Sequence, residues 1–96
     1  MTSSFHPEAE EEFSAAIEYY EERESSLGYD FSIEVYTAIQ NIIIHPDAWP
    51  VVEDDIHRCL VYRFPFGILY SIEPNGVFVI AVMHNRRRPG YWKDSR

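Results

Sequence analysis

From Pro7 to about Ser26, the apolar residues Ala9, Phe13, Ala16, Ile17 and Tyr20 recur at steps of three and four, with Glu8, Glu11, Glu12, Glu18 and Glu22 on the remaining surface. That spacing predicts an amphipathic helix. Pro7 suits its first turn, where the missing N–H would have no partner, and the neighbouring acids favour the positive end of the helix dipole. Gly28 is expected to stop it. A second helix is predicted from Tyr29 or Asp30 to Ile44, with Phe31, Val35, Ile39 and Ile42 as its apolar stripe and His45-Pro46 as its end. Separated only by Ser25 to Gly28, the two helices should form an antiparallel hairpin.

Beyond the irregular stretch Pro46 to Pro50 the period drops to two. Ile56, Arg58, Leu60, Tyr62 and Phe64 alternate with His57, Cys59, Val61 and Arg63, which predicts a strand with Arg58 and Arg63 on opposite faces. Pro65-Phe-Gly67 is expected to turn the chain into a second strand with Ile68, Tyr70 and Ile72 on one face. Glu73-Pro-Asn-Gly76 is a tight-turn signal before Val77 to Met83, a run apolar on both faces and expected to be the most buried strand. The fold class is therefore α+β: a helical hairpin against an antiparallel sheet of three to four strands, in one domain spanning residues 1–96.

Composition narrows the class. With 46% hydrophobic and 16% aromatic residues, the 96-residue chain has enough apolar surface for one small core and is not a disordered tail. The net charge of −8 is unevenly placed: residues 1–55 carry fourteen acids and one base, Arg23, whereas residues 56–96 carry seven bases against Glu73 and Asp94. The helical hairpin should thus repel polyanions, while the strands and tail could meet them. A lone Cys59 excludes an internal disulfide framework and a multi-cysteine metal site, the pattern of a reducing compartment, so a cytoplasmic location is expected. The N-terminus has no signal-peptide pattern, and no apolar run approaches the roughly 20 residues of a membrane span.

Candidate chemistry gathers after the last strand. Arg86, Arg87 and Arg88 stand beside Tyr91 and Trp92, combining phosphate-pairing guanidinium groups with rings that can stack on bases. The same arginines could instead pair with the acidic helices while the two rings anchor the tail. His84, grouped by alternation with Phe78, Ile80 and Val82, is either a half-buried acid–base group or a structural histidine. His6, His45, His57 and His84 lack metal-ligand spacing, and no cofactor fingerprint is present. The glutamates of the first helix are expected to form a solvated face, and Tyr19, Tyr20, Tyr29 and Tyr36 to pack the hairpin.

Phe5-His-Pro-Glu-Ala9, Tyr19-Tyr20, Phe31, the Pro46 to Pro50 connection, Arg63-Phe-Pro-Phe-Gly-Ile-Leu-Tyr70 and His84-x-x-Arg87-x-Pro89-x-Tyr91-Trp92 follow one another in the chain. This pattern resembles the RelE/ParE superfamily of toxins from type II toxin–antitoxin modules, and within it the ParE-like, plasmid stabilisation branch. The resemblance implies a growth inhibitor neutralised by a cognate antitoxin, assembled as a homodimer or a toxin–antitoxin hetero-oligomer. ParE-like members act on DNA gyrase. RelE-like members cleave messenger RNA on the ribosome, and for that chemistry the corresponding groups are His84, Arg63, Arg87 and Tyr91, with Arg58, Arg86, Arg88 and Trp92 as binding residues. A chain that keeps the fold without toxicity is the third reading. Family members open with a full strand; only Met1 to Phe5 precede His6-Pro7 here, so that strand is expected to be short or absent.

Overall fold

The computed structural model describes residues 2–87. The chain runs β1 (Thr2–Phe5), α1 (Pro7–Arg23), α2 (Leu27–Ile44), β2 (Val51–Glu53), β3 (Ile56–Leu60), β4 (Phe66–Glu73) and β5 (Gly76–His84). The strands form one sheet in the order β1-β5-β4-β3-β2, antiparallel except for the parallel pair β1–β5. The α+β class and the helical hairpin are as expected. The sheet has five strands rather than three or four, because Thr2–Phe5 pairs with Gly76–Val79 and because Val51–Glu53 adds an outer strand beside β3. The short opening strand is therefore present, and its parallel pairing makes the sheet mixed.

Both helices lie on one face. Ala9, Phe13 and Ala16 of α1 and Phe31, Val35, Ala38, Ile39 and Ile42 of α2 meet Cys59, Val61, Phe64, Ile68, Tyr70, Val77, Val79 and Val82 in the main core. A smaller cluster, Ile56, Leu69, Ile80, Ala81 and Met83, occupies the opposite face. Of the four tyrosines assigned to the hairpin, Tyr20 turns inward against Phe31, Phe64 and Phe66. Tyr19, Tyr29 and Tyr36 are exposed.

Helix α1 starts with His6, whose ring Nδ1 accepts from Glu8 N at 3.1 Å, and Pro7 stands in its first turn. It ends at Arg23, before Gly28, and Gly28 lies inside α2. Gly28 serves a close approach instead: a Cβ there would stand 2.5 Å from the Ile17 carbonyl oxygen. The turn is made by Ser26, with φ +74° and no side-chain cap of its own. The Glu21 carboxylate reaches across from α1 and accepts from Ser26 N at 2.9 Å and Gly28 N at 3.0 Å. It thereby satisfies N–H groups that the start of α2 leaves without helical partners.

Two irregularities decide which way functional side chains face. β3 stops at Leu60, and Arg63 takes φ +71°, so Phe64 swings into the helix-side core although alternation alone would group it with Arg58 and Leu60. In β5 the register slips from Leu69↔Ala81 to Tyr70↔Val79, leaving one extra residue on β5. Val82 therefore shares the helix-side core with Val77 and Val79, while Ile80 stays on the opposite face. The connection between α2 and β2 is fastened to the sheet by Tyr70, whose hydroxyl donates to the Pro46 carbonyl at 2.6 Å, and by His57 Nδ1, 2.8 Å from the Trp49 carbonyl.

Candidate functional site

The bulge in β5 has a direct effect on His84. The extra residue separates it from Phe78 and Ile80, correcting the expected grouping, and turns it toward the helices, where its ring meets Phe66 edge-on at 5.4 Å. There it joins Ala16, Tyr19, Tyr20, Pro65 and Phe66 in lining a cleft of about 430 Å³ between α1 and the ends of β4 and β5. Burial pushes the Tyr20 hydroxyl above its ordinary pKa, with the neighbouring Tyr19 adding to the effect, so Tyr20 is a neutral wall of this cleft. Arg23 lies over the Tyr19 ring at 4.5 Å from its centroid.

The chain leaves β5 in a fixed turn. Asn85 N donates to the Pro65 carbonyl at 2.8 Å, Arg87 N to the His84 carbonyl at 2.9 Å, and Arg86 N to His84 Nδ1 at 3.0 Å. His84 therefore presents Nδ1 as an acceptor, which places any proton of the neutral ring on Nε2. Arg87 Nη1 lies 3.9 Å from Glu12 Oε2, and Arg63 Nη1 lies 3.9 Å from Glu34 Oε2. Arg63 also lies over Phe64, at 5.5 Å. Arg87 thus leans on α1 and Arg63 on α2, and each guanidinium meets a carboxylate of its own chain.

Arg58 takes no part in this cleft. It lies on the face away from the helices, where its Nη2 donates to Asn85 Oδ1 at 2.9 Å. Arg86 is exposed in the turn. Arg88, Tyr91 and Trp92 lie outside the described residues. No group of three or more metal-ligating side chains occurs among the described residues.

Glu12 and Glu21 depart from the solvated face expected of the first helix. Glu21 caps α2, as described above, and Glu12 Oε1 accepts from Val82 N at 3.1 Å. Composition carries no sign of either role, because both partners are backbone groups supplied by distant elements. Tyr20, Pro65 and Phe66 were likewise missed as site residues. The signal was present in Tyr19-Tyr20 and in Phe64-Pro-Phe66, whose aromatic content exceeds what a turn and a helix face require.

The family model described as ParE toxin of type II toxin-antitoxin system, parDE, matches residues 4–89. The chain belongs to the ParE toxin family. Membership makes it a toxin of a type II toxin–antitoxin system and implies an antitoxin partner. The match covers the end of β1, the hairpin, strands β2 to β5 and the His84 turn of this ParE-family toxin. Among curated proteins, none matches the chain. Among the described residues, no helix of the toxin is long and apolar enough to cross a membrane.

Proposed function

We propose that this ParE-family toxin arrests growth by binding a protein target, DNA gyrase being the target that the ParE-like resemblance implies, and that its antitoxin prevents this contact. The observation that supports the reading is the makeup of the His84 cleft. Its walls are Ala16, Tyr19, Tyr20, Pro65 and Phe66, an aromatic surface of the kind that carries protein contacts. The nearby guanidinium groups of Arg63 and Arg87 each already meet a helix carboxylate. A phosphate would have to share those groups with the carboxylates and approach a hairpin rich in acids. A protein side chain entering the cleft faces neither obstacle.

Expression without antitoxin, with growth, plasmid supercoiling and transcript integrity followed in parallel, tests the proposal. Arrest with altered supercoiling and intact transcripts is the expected result. Site-specific transcript cleavage would replace this reading with ribosome-dependent endoribonuclease action, and unimpaired growth would leave a fold without toxicity.

A further inference from the structure

The sheet face away from the helices carries a second recess, of about 520 Å³, lined by Trp49, Pro50, Val52, Arg58, Leu60 and Asn85. Apart from Arg58 and Asn85 its walls are apolar, and Val52 and Leu60 are 49% and 61% exposed. It adjoins β2, which ends the sheet and has no further strand on its outer side among the described residues.

Arg58 is fixed in this recess from two sides. Its Nε lies over Gly67, only 3.1 Å from where a Cβ would stand, and its Nη2 is held by Asn85 Oδ1. Asn85 is itself held in place through its backbone N–H on Pro65. The Nε is shut away from solvent with no hydrogen-bond partner among the described residues. Arg63 and Arg87 each meet a carboxylate of the chain, whereas among the described residues the side-chain partner of Arg58 is the neutral Asn85 amide. A guanidinium positioned by Asn85 and the Gly67 backbone, with no ion pair to a carboxylate among the described residues, beside apolar walls and an open strand edge, is placed to receive an incoming carboxylate.

We propose that this recess takes the side-chain carboxylate of a glutamate or aspartate on an extended segment of a partner protein. The segment adds as a strand to the β2 edge, its carboxylate rests on Arg58, and its neighbouring apolar side chains cover Val52 and Leu60. Main-chain pairing gives such a segment affinity and the recess gives it specificity. The occupant is a peptide rather than a nucleic acid because the lining offers one cation among apolar walls, whereas a phosphate backbone is bound through several. The proposal is independent of which target the toxin inhibits.

Titration of the isotope-labelled full-length protein, followed by the Arg58 Nε–H signal and the amides of Val51–Glu53, tests it. The probes are a capped peptide of alternating valine and threonine with one central glutamate, the same peptide with glutamine there, and a short oligouridylate. The glutamate peptide should bind about tenfold more tightly than the glutamine peptide, as a charge-assisted contact requires. It should move the Arg58 signal together with those of β2. Arg58→Lys, which keeps the charge and loses the fork, and Gly67→Ala, which crowds the guanidinium, should erase the preference, with thermal melts reporting the fold of both. Equal binding of the two peptides, or no binding at millimolar peptide, overturns the proposal on the unaltered protein alone. Binding of the oligouridylate with the peptides inert assigns the recess to nucleic acid. Self-association that blocks the peptide assigns it to a second copy.

Discussion

Glu12 Oε1 accepts a hydrogen bond from the backbone N–H of Val82 at 3.1 Å. β1 covers β5 only as far as Val79, where His6 N closes the pairing at 2.8 Å. Past that point a helix carboxylate does for the strand what another strand would otherwise do. Val82 is 1% exposed, so its N–H has no recourse to water.

Glu12→Ala should therefore lower stability by roughly 1–3 kcal/mol, the range for a buried donor left without an acceptor. Glu12→Gln should lose less, because an amide oxygen can still accept from Val82. Urea unfolding of the two variants checks the order. Equal losses would mean that the charge opposite Arg87, rather than the acceptor, is what matters.

Gly28→Ala should destabilise the hairpin by at least about 1–3 kcal/mol, the usual range for overpacking. The obstacle, the Ile17 carbonyl oxygen 2.5 Å from the new Cβ, is backbone and cannot swing aside. Glu21→Ala removes only the cap and should cost about 1 kcal/mol. Thermal unfolding monitored by circular dichroism should rank Gly28→Ala below Glu21→Ala.

High pH should weaken the fold through two buried acids. Burial pushes the Cys59 thiol from 9.0 up to about 11. Burial, with Cys59 and Asp47 charges adding, pushes the Tyr70 hydroxyl from 10.0 up to about 12. Both groups hold their protons in the folded state at a pH where the unfolded chain has released them. Stability from these groups is thus complete below pH 9 and declines from there to about pH 12. Tyr70→Phe loses the hydroxyl bond to Pro46, lowering stability at neutral pH, but should flatten the decline between about pH 10 and 12. Urea midpoints across that range provide the check.

Tyr19→Ala and His84→Ala remove lining of the cleft without touching the main core. On the proposed gyrase reading, each should weaken binding to purified gyrase by about tenfold, the effect of truncating an aromatic contact at an interface centre. Biolayer interferometry with melting temperatures in parallel measures this. Wild-type affinity in both variants would mean that the target engages another surface.

Much of the fold was legible in the sequence because both helices bury a continuous stripe, and a stripe such as Ala9, Phe13 and Ala16 survives whatever packs on it. The order of the strands from Ile56 onward was legible for the same reason. The orientation of His84 was not. A run that is apolar on both faces, as Val77 to Met83 is, conceals a one-residue bulge, since either register buries equally apolar side chains. The parallel partner Thr2–Phe5 was equally hidden, four residues with burial supplied by a strand more than seventy positions away. Glu12 and Glu21 look in sequence like their solvated neighbours, and only the tertiary fold brings backbone N–H groups to them.

The pairing of β1 with β5 also orders events at synthesis. The first strand waits for the last described one: until β5 has been made, β1 has no neighbour in the sheet, β4 lacks one of its two partners, and His84 is missing from its cleft. Non-local pairing of this kind forms late, because closing the intervening chain precedes any contact that rewards it. A nascent chain bearing only the acidic hairpin and the first strands thus has neither the completed sheet nor the His84 cleft.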